Sequence, residues 1–466
     1  MKKGPSIAFR LTVYPLAVIL FLLFSGLMVF FAAGYNLKYE NGQFKTQKTG
    51  VIIVATRPGE SVVTLDGEVY GKKTPSLPIF NLTIKRVIAG NHHLVVSHDG
   101  YEAWEGNIVV EPGLVTWRDY LILLPTARQS DQFNLAGSIE SQFVSQDQKR
   151  MVVLAVDRAQ NVYNFWLVNT ENKENTKIAE SALVPGDQYK VIGLSGDYSK
   201  YLYQKTDANK ISSYIVAESK MNGLKYNLGA LFSNRASNYY FSPYNNNELF
   251  FVQDGSIFKI NLESKTESSV LATDVISAHP LRDKFILVRK SEENYGLWVL
   301  GSNNDLKNVA KAVPAANGYR VNYLESSKGY LIQELGDKDL LIYSNEIKNP
   351  TLETIARGIN LFSLSPTGEM IAFYSENKLR VYSIKDEKYY DIADSDKIKN
   401  IDWMQDGKNL IYGTGTQIWL VNYNGDYNKA VLPTNNSSVV FSSDSSHNIF
   451  YLDSVAKDND LYSLSL

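Results

Sequence analysis

The stretch LFSLSPTGEMIAFYSENKLRVYSI, residues 361–384, shows the pattern from which the rest of the chain can be interpreted. Two apolar runs, residues 361–364 and 370–374, flank the pentapeptide Ser365-Pro366-Thr367-Gly368-Glu369. Proline fixes φ and glycine permits positive φ, so the pentapeptide predicts a tight turn between two strands. A third strand, residues 379–384, alternates apolar and polar side chains. Such a unit cannot cover its apolar face alone, which predicts that similar units stack against it.

The composition excludes several classes of protein. The 466 residues carry a formal net charge of −2, so no basic field points to nucleic acid. Cysteine is absent, which excludes disulfides, thiolate metal sites and cysteine nucleophiles. The chain contains 30 tyrosines and 20 phenylalanines, and aromatic residues favour half-buried, pleated surfaces. We therefore expect an all-β protein after an apolar N-terminal segment.

That segment, residues 11–33, contains no charged residue. As a helix it would extend roughly 34 Å, enough to cross a bilayer core of about 30 Å. A cleaved signal peptide is the alternative, but its apolar region is normally only about 7–15 residues long. Phe31 would also occupy a position before the cleavage site where a small residue is expected. We predict a transmembrane signal anchor at 11–33, after a short basic cytoplasmic N-terminus at 1–10.

The orientation of this helix is less strongly encoded. Basic residues are balanced across it, with Lys2, Lys3 and Arg10 before and Lys38, Lys45 and Lys48 after. The basic N-terminus followed directly by an apolar run favours a single-pass protein with the bulk of the chain outside the cytoplasm. The opposite insertion would give a cytoplasm-facing sensor scaffold. Residues 34–49 are polar and are interpreted as a linker.

Residues 50–126 carry the pattern of a small antiparallel β domain with closely spaced turns. The turn and strand motifs are Thr56-Arg57-Pro58-Gly59-Glu60-Ser61, Leu65-Asp66-Gly67, Gly71-Lys72-Lys73-Thr74-Pro75, Gly90-Asn91-His92, Gly100-Tyr101-Glu102-Ala103-Trp104 and Leu123-Leu124-Pro125. In their order and spacing they resemble the PEGA domain, with the name-giving tetrapeptide altered and one extra lysine before Thr74. The resemblance implies a small β-sandwich that serves as an extracytoplasmic adhesion or spacer module and brings no catalytic residues.

Three aromatic residues of this domain, Tyr101, Trp104 and Trp117, are candidates for a carbohydrate-binding platform. The alternative is that they belong to the core and corners of a small sandwich, and we favour it. His92, His93 and His98 suggest a metal, but neighbouring residues on a strand point to opposite faces. We therefore expect structural or exposed histidines and no metal.

In the remaining chain, residues 127–466, the pattern of residues 361–384, an apolar run, a turn and a second apolar run, recurs at intervals of about 36 to 50 residues. This is the period expected for propeller blades. Eight units are recognisable, near Phe143, Ile192, Tyr240, Ile276, Val321, Leu361, Ile401 and Val439. The units at Phe241-Ser242-Pro243, Ser365-Pro366-Thr367-Gly368 and Trp403-Met404-Gln405-Asp406-Gly407-Lys408 resemble TolB-like repeats. The units near Ile276 and Val321 are degenerate, so the prediction is a seven- or eight-bladed β-propeller. Residues 133–139 are the candidate strand for closing the ring beside the C-terminal strand.

No catalytic motif emerges from the sequence. There is no nucleophile elbow in a strand-to-helix context, no phosphate loop and no His-Glu-x-x-His. Four aspartates, Asp157, Asp254, Asp337 and Asp453, follow the second strand of several repeats. They are interpreted as turn residues, with a Ca²⁺ site or a set of catalytic carboxylates as the alternative. We expect no catalytic residue, cofactor or metal.

The sequence thus predicts an extracytoplasmic binding or scaffold protein held in the cell membrane, with a cell-envelope protein or glycan as partner and no role for nucleic acid. The alternative is a propeller-type glycan hydrolase or lyase with carboxylates in the central funnel, which requires paired acids about 5 to 9.5 Å apart.

Overall fold

The computed structural model describes residues 7–40, 42–70, 82–232, 236, 238–281, 283–291, 294–344, 351–435, 440–442, 448–455 and 458–466. The chain divides into two compact units, one up to residue 127 and one from 128 to 465. The fold is almost entirely β, as expected from the aromatic and β-branched composition.

The first unit begins with helix α1, Ile7–Ala32, whose window Val13–Ala32 has a mean hydropathy of 2.5. By length and composition this helix suffices to cross a membrane. The strands that follow are β1 Tyr35–Glu40, β2 Gln43–Arg57, β3 Val62–Leu65, β4 Glu68–Val69, β5 Leu82–Ile88, β6 Gly90–Ser97, β7 Trp104–Val110 and β8 Val115–Ile122.

These strands form two sheets with a shared apolar core. One sheet has the order β1-β2-β5, with β8 parallel to β2, and the other has the order β4-β3-β6-β7. Ile52, Val54, Leu94 and Val96 are completely buried. Strands β2 and β6 bury alternate residues, as expected for strands with one face in a core.

The prediction of a linker at 34–49 was wrong. These residues form β1 and the first part of β2, which continues without interruption into the β-sandwich. The segment is polar enough to suggest a spacer, but Tyr35, Leu37 and Tyr39 alternate with polar residues, which is the pattern of a strand.

The predicted hairpin at Asp66-Gly67 joins β3 to β4, and both residues adopt positive φ, 50° and 85°. Two positive values in succession are the geometry of a two-residue hairpin turn. The predicted turn at residues 71–75 lies outside the described residues.

The second unit is a propeller in which eight four-stranded antiparallel sheets follow one another. Strands of each blade are given from the centre outwards. Blade 1 has β10 Ser138–Val144, β11 Arg150–Asp157, β12 Val162–Asn169 and β13 Asn175–Ala182; blade 2 has β14 Gln188–Leu194, β15 Lys200–Thr206, β16 Ser212–Glu218 and β17 Lys225–Asn227. Helix α2, Leu228–Phe232, leads to blade 3, with β18 Asn238–Phe241, β19 Glu248–Gln253, β20 Ser256–Asn261 and β21 Thr266–Glu267. Blade 4 has β22 Val275–Pro280, β23 Phe285–Ser291, β24 Asn294–Leu300 and β25 Leu306–Val313; blade 5 has β26 Tyr319–Leu324, β27 Gly329–Glu334, β28 Leu340–Ser344 and β29 Thr351–Ala356. Blade 6 has β30 Leu361–Leu364, β31 Met370–Ser375, β32 Lys378–Ser383 and β33 Lys388–Asp394; blade 7 has β34 Asn400–Trp403, β35 Asn409–Gly413, β36 Gln417–Asn422 and β37 Asn428–Pro433.

Blade 8 closes the ring by combining the two ends of the propeller. From the centre outwards, its strands are β38 Val440–Ser442, which is the inner strand, β39 Asn448–Val455, β40 Asp458–Ser465 and β9 Ser130–Gln132. Each inner strand of the eight blades contains or adjoins one of the eight predicted repeat positions, so the count of eight is confirmed.

The closing strand lies earlier than predicted. Strand β9 pairs Ser130, Asp131 and Gln132 with β40, and the Phe133 amide continues the ladder to the Leu461 carbonyl at 3.0 Å. Most of the predicted segment 133–139 is instead the connection to blade 1. Because the closing strand is polar and largely exposed, no apolar alternation marks it in the sequence.

The second strands of the blades form the apolar cores between neighbouring blades. All residues of β31 and β35 are buried, because a neighbouring blade covers each face of the sheet. This explains why the second strands appear in the sequence as continuous apolar runs rather than as alternating ones. At the turn that precedes β31, Gly368 adopts a φ of 69°, as predicted from the turn motif Ser365-Pro366-Thr367-Gly368-Glu369.

Candidate functional site

The three aromatic residues predicted as a possible carbohydrate platform do not come together. Trp104 on β7 is only 3% exposed, and its ring lies so close to Gly106 that a Cβ there would be 2.9 Å away. Tyr101 is half-buried and packs edge-on against His98, with ring centroids 5.2 Å apart. Trp117 lies on β8, in the other sheet, and is 52% exposed. The buried position of Trp104 excludes it from an open platform, and Trp117 alone keeps a free aromatic face.

The histidines of this unit have structural surroundings. His92 Nδ1 lies 2.6 Å from an Asp66 carboxylate oxygen, and the His93 amide donates to the other oxygen at 2.9 Å. The Asp66 carboxylate therefore ties the β3–β4 turn to β6. Within the described residues, no group of three or more His, Asp or Glu side chains is arranged to hold a metal ion.

Two faces of the propeller follow from the strand directions. All inner strands run the same way, so the connections between blades and the turns from second to third strand share one face, which we call the upper face. Turns from first to second and from third to fourth strand share the opposite, lower face.

Three of the four aspartates singled out in the sequence, Asp157, Asp254 and Asp337, lie at upper-face turns of different blades. Asp157 accepts hydrogen bonds from the Ala159 and Gln160 amides of its own turn, both at 3.0 Å, as expected for a turn residue. The turn interpretation was wrong for Asp453, which lies within β39, paired with Asp460, and accepts from the Asn435 amide of the connection from blade 7 at 2.6 Å.

At the centre of the ring, Asp402 lies on β34 and is half-buried. Its carboxylate accepts hydrogen bonds from Gln148 Nε2 at 3.1 Å, Ser363 Oγ at 3.3 Å and the Ser442 amide at 3.4 Å. These donors come from blades 1, 6 and 8. Burial raises the pKa of Asp402 to about 6, although the hydrogen bonds act in the opposite direction.

The lower-face turn of blade 1, residues 145–148, reaches across the ring. The Gln146 side chain donates to the Pro280 carbonyl of blade 4 at 2.9 Å. Asp147 accepts from the Tyr198 hydroxyl of blade 2. Gln148 contacts Asp402 and accepts from Gln405 Nε2 at 2.9 Å. Since one turn contacts blades 2, 4 and 7, it lies across the centre of the ring on the lower face.

Five acidic, basic or histidine side chains lie on the described innermost strands: Glu140, Lys190, His279, Arg320 and Asp402. Among the described inner strands, only β10 and β34 contain an acid, Glu140 and Asp402. Glu140 is exposed and pairs with Arg158 at 3.4 Å, near an upper-face turn. His279 on β22 is half-buried, and its desolvation, with the nearby charge of Arg320, lowers its pKa to about 4, so it is neutral at pH 7.

The upper face carries a set of exposed aliphatic side chains, which we call the upper-face arc. It extends from the connection between blades 1 and 2 to blade 5 and consists of Val184 (46% exposed), Ile211 (63%), Leu231 (41%), Val270 (48%) and Leu335 (47%). On the described lower face the large exposed apolar residues are Met221 and Leu224, both in one turn of blade 2. The exposed apolar residues are therefore concentrated on the upper face.

A lateral groove lies between the outer strands of blades 5 and 6. Its volume is about 450 Å³, and Arg357, Arg380, Tyr389 and Asp391 are among its lining residues. Arg380 is paired with Asp391 at 3.0 Å, which neutralises part of its charge. The lining of the groove therefore combines basic, acidic and aromatic side chains and has no single sign of charge.

Sequence reasoning missed both the arc and the central cluster. The arc residues lie in connections of different blades, and isolated aliphatic residues in loops carry no motif. Gln148 and Asp402 are 254 residues apart, and only closure of the ring brings them into contact.

Comparison with known proteins gave one family model and several distantly similar solved structures. Residues 49–122 match the model of the PEGA domain. Among solved structures, the chain is similar to an oligogalacturonate lyase in complex with manganese, with 12% identity, a TM-score of 0.40, and coverage of 71% of this chain and 98% of that one. It is also similar to a eukaryotic initiation factor, with 9% identity, a TM-score of 0.48, and coverage of 73% and 89%. An oligogalacturonate lyase from Vibrio parahaemolyticus has 11% identity, a TM-score of 0.38, and coverage of 71% and 98%. Curated proteins gave no match. Likenesses this distant carry no statement about activity, and the PEGA match extends over residues 49–122 alone.

Proposed function

We propose that this protein is a membrane-anchored, extracytoplasmic binding or scaffold protein whose propeller recognises a protein of the cell envelope. The observation that carries the proposal is the upper-face arc, five exposed aliphatic side chains on one face of a closed ring. These side chains share one face of the ring, and apolar surface exposed there favours contacts with proteins. Aliphatic rather than aromatic side chains also make a protein partner fit this face better than a sugar.

The anchoring part of the proposal rests on α1 and on its neighbours in the chain. The helix exposes apolar side chains between Tyr14 and Phe31, and the basic residues Lys2, Lys3 and Arg10 precede that stretch. The small β domain resembles modules of surface proteins, and the propeller repeats resemble the TolB-like type. A signal anchor whose N-terminus lies in the cytoplasm would account for all of these features.

We favour binding over catalysis because of the state of the central carboxylates. A glycan hydrolase or lyase of the type considered above needs two acids that face a substrate. Asp402 is half-buried and accepts hydrogen bonds from three other blades, and Glu140 is paired with Arg158. Both acids have structural partners in the described part of the ring.

The test uses the full-length protein in detergent, immobilised and exposed either to purified cell-wall glycan or to a solubilised envelope protein extract. We expect a defined protein to be retained from the extract. A variant with Val184→Ser, Leu231→Ser and Val270→Ser should lose that protein. A matched variant on the lower face, Met221→Ser with Leu224→Ser, should retain it.

Retention of the same protein by the upper-face variant would contradict the assignment of the arc. Retention on glycan alone would contradict the choice of a protein partner and would direct attention to Trp117.

A further inference from the structure

The hairpin of β1 and the first part of β2, residues 35–48, is amphipathic. Its register pairs Tyr35 with Lys48, Leu37 with Thr46 and Tyr39 with Phe44. Directly paired residues of antiparallel strands lie on the same face. One face of the hairpin therefore collects the aromatic and aliphatic residues. The alternate pairs, Asn36 with Gln47, Lys38 with Lys45 and Glu40 with Gln43, are all polar.

The apolar face has no cover within the described chain. Leu37 is 44% exposed, Tyr39 64% and Phe44 74%, and the rings of Tyr39 and Phe44 lie 4.9 Å apart. Among the described strands, β1 pairs with β2 alone, and the pairing of β2 with β5 starts only at Thr49. An isolated two-stranded hairpin is at best marginally stable in water. A face of this kind is therefore expected to rest on something else.

The hairpin starts at a fixed place, directly after the helix. Gly34 adopts a φ of 81°, and its carbonyl accepts from the Thr49 amide at 2.7 Å. The Gly113 amide in turn donates to the Thr49 carbonyl at 2.9 Å. The junction is so close that a Cβ on Gly34 would lie 2.1 Å from the Gly113 nitrogen. In addition, the Tyr35 ring stacks on Phe30 of α1 with centroids 5.0 Å apart.

We propose that residues 35–48 lie in the interface of the membrane that α1 crosses, with Tyr39 and Phe44 among the lipid headgroups. This inference rests on the proposed anchoring by α1. Aromatic side chains prefer the headgroup level, and basic residues near the surface are attracted to anionic lipids. The segment contains three lysines and one glutamate, a formal charge of +2, and Lys45 and Lys48 are exposed. The hairpin combines both features of an interfacial element.

The test uses the absence of cysteine from the natural chain. Single cysteines are placed in the full-length protein as Thr46→Cys on the apolar face, Gln43→Cys on the polar face and Leu22→Cys in α1. Each is labelled with a fluorophore after reconstitution into phosphatidylcholine vesicles with or without phosphatidylglycerol. Quenching by nitroxide-labelled lipids and by aqueous iodide is then compared.

We expect lipid-borne quenchers to act several-fold more strongly on the label at 46 than on the label at 43. Omission of phosphatidylglycerol should reduce this contrast. A second variant, Tyr39→Ser with Phe44→Ser, should lower lipid quenching at 46 and leave that at 22 unchanged.

The outcomes separate the hairpin from the anchor. If the label at 22 is lipid-protected while labels at 46 and 43 are equally open to iodide, the hairpin proposal is overturned and the anchor stands. If neither quencher reaches the label at 46, protein covers this face, either a second copy or another part of the chain, and the proposal is overturned as well. If the label at 22 is itself open to iodide, the proposed anchoring is wrong.

Discussion

The side chain of Asp402 is hydrogen-bonded to three other blades of the propeller. Its carboxylate receives donors from Gln148, Ser363 and Ser442. We expect Asp402→Ala to destabilise the propeller, because each buried donor left without a partner costs about 1–3 kcal/mol. Chemical unfolding followed by tryptophan fluorescence measures the loss. Asp402→Asn keeps an acceptor of the same size and should lose less, whereas an alanine variant as stable as the wild type would contradict this role.

The pH dependence of the same group has a definite sign. Burial raises the pKa of Asp402 from an ordinary 3.8 to about 6. A carboxyl group with a raised pKa contributes stability that is fully present below its unfolded pKa and is lost as the pH rises through the folded one. The wild type should therefore lose stability relative to Asp402→Asn between pH 5 and pH 7. The free energies of unfolding of the two proteins at both pH values provide the check, and a constant difference would count against it.

Trp104 and Trp117 form a matched pair for separating core from surface. Trp104 is 3% exposed and Trp117 is 52% exposed. We expect Trp104→Ala to cost about 3–5 kcal/mol, as large-to-small changes in a core do. Trp117→Ala should change stability by no more than about 0.5 kcal/mol. Thermal unfolding of both variants is the measurement, and similar losses in the two would show that Trp117 also packs.

At the scale of one element, the β3–β4 hairpin carries its own pH response. Burial, the largest single influence, lowers the pKa of His92, but the hydrogen bonds to the Asp66 carboxylate and the Ile88 carbonyl, together with the Asp66 charge, outweigh it and raise the pKa of His92 above 6.5. The hydrogen bond from His92, with that from the His93 amide, lowers the pKa of Asp66 below 3.8. The histidine contribution is thus fully present below pH 6.5 and is lost as the pH rises through the raised value. The aspartate contribution is lost as the pH falls through the lowered one.

Hydrogen exchange of β3 and β6 amides, corrected for the intrinsic effect of pH, tests this balance. We expect protection to be greatest between about pH 4 and pH 6.5 and to weaken toward pH 8. His92→Gln should remove the loss at high pH. The control His98→Gln should behave like the wild type. Among the described residues, the hydrogen-bond partner of the His98 ring is the backbone carbonyl of Asp99, which does not titrate. A variant at position 92 that retains the wild-type profile would refute the pairing.

Elements with a strong apolar pattern could be predicted from the sequence, and elements without one could not. Residues 370–374 appear in the sequence as a strand because β31 is buried on both faces. The closing strand β9 has no such signal because Ser130, Asp131 and Gln132 lie at an exposed edge. Only the position of β40 beside it makes that strand recognisable. The hairpin at 35–48 was missed because its apolar residues are exposed, so a polar average conceals the alternation.

For the whole molecule, the order of apolar helix, small β domain and propeller could be predicted from periodicity and turn motifs, whereas the sites could not. A site at the ring centre needs residues such as Gln148 and Asp402, 254 positions apart. Their contact depends on the number of blades and on the closure of the ring, and neither is fixed by any local stretch.

Closure of the ring by β9 and β40 leads to a prediction for the entire propeller. Asp131 and Ser463 are directly paired, and Cα atoms of such pairs lie at distances that a disulfide can span. A disulfide between Asp131→Cys and Ser463→Cys would join the two ends of the propeller. Because the enclosed loop is very long, the chain-entropy argument gives up to about 5 kcal/mol of stabilisation. We expect the oxidised protein to unfold at a clearly higher temperature than the reduced one.

A matched pair within blade 6, Ser383→Cys with Lys388→Cys, closes only a short loop between adjacent strands. By the same argument it should stabilise by only about 2 kcal/mol. Calorimetry of both proteins with and without reductant distinguishes the two cases. If opening of the ring between β9 and β40 is an early step of unfolding, the ring-closing disulfide must have the larger effect. Equal increases in the unfolding temperature of the two proteins would instead show that blades unfold without first separating at this junction. That result would contradict the role of β9 in holding the ring closed.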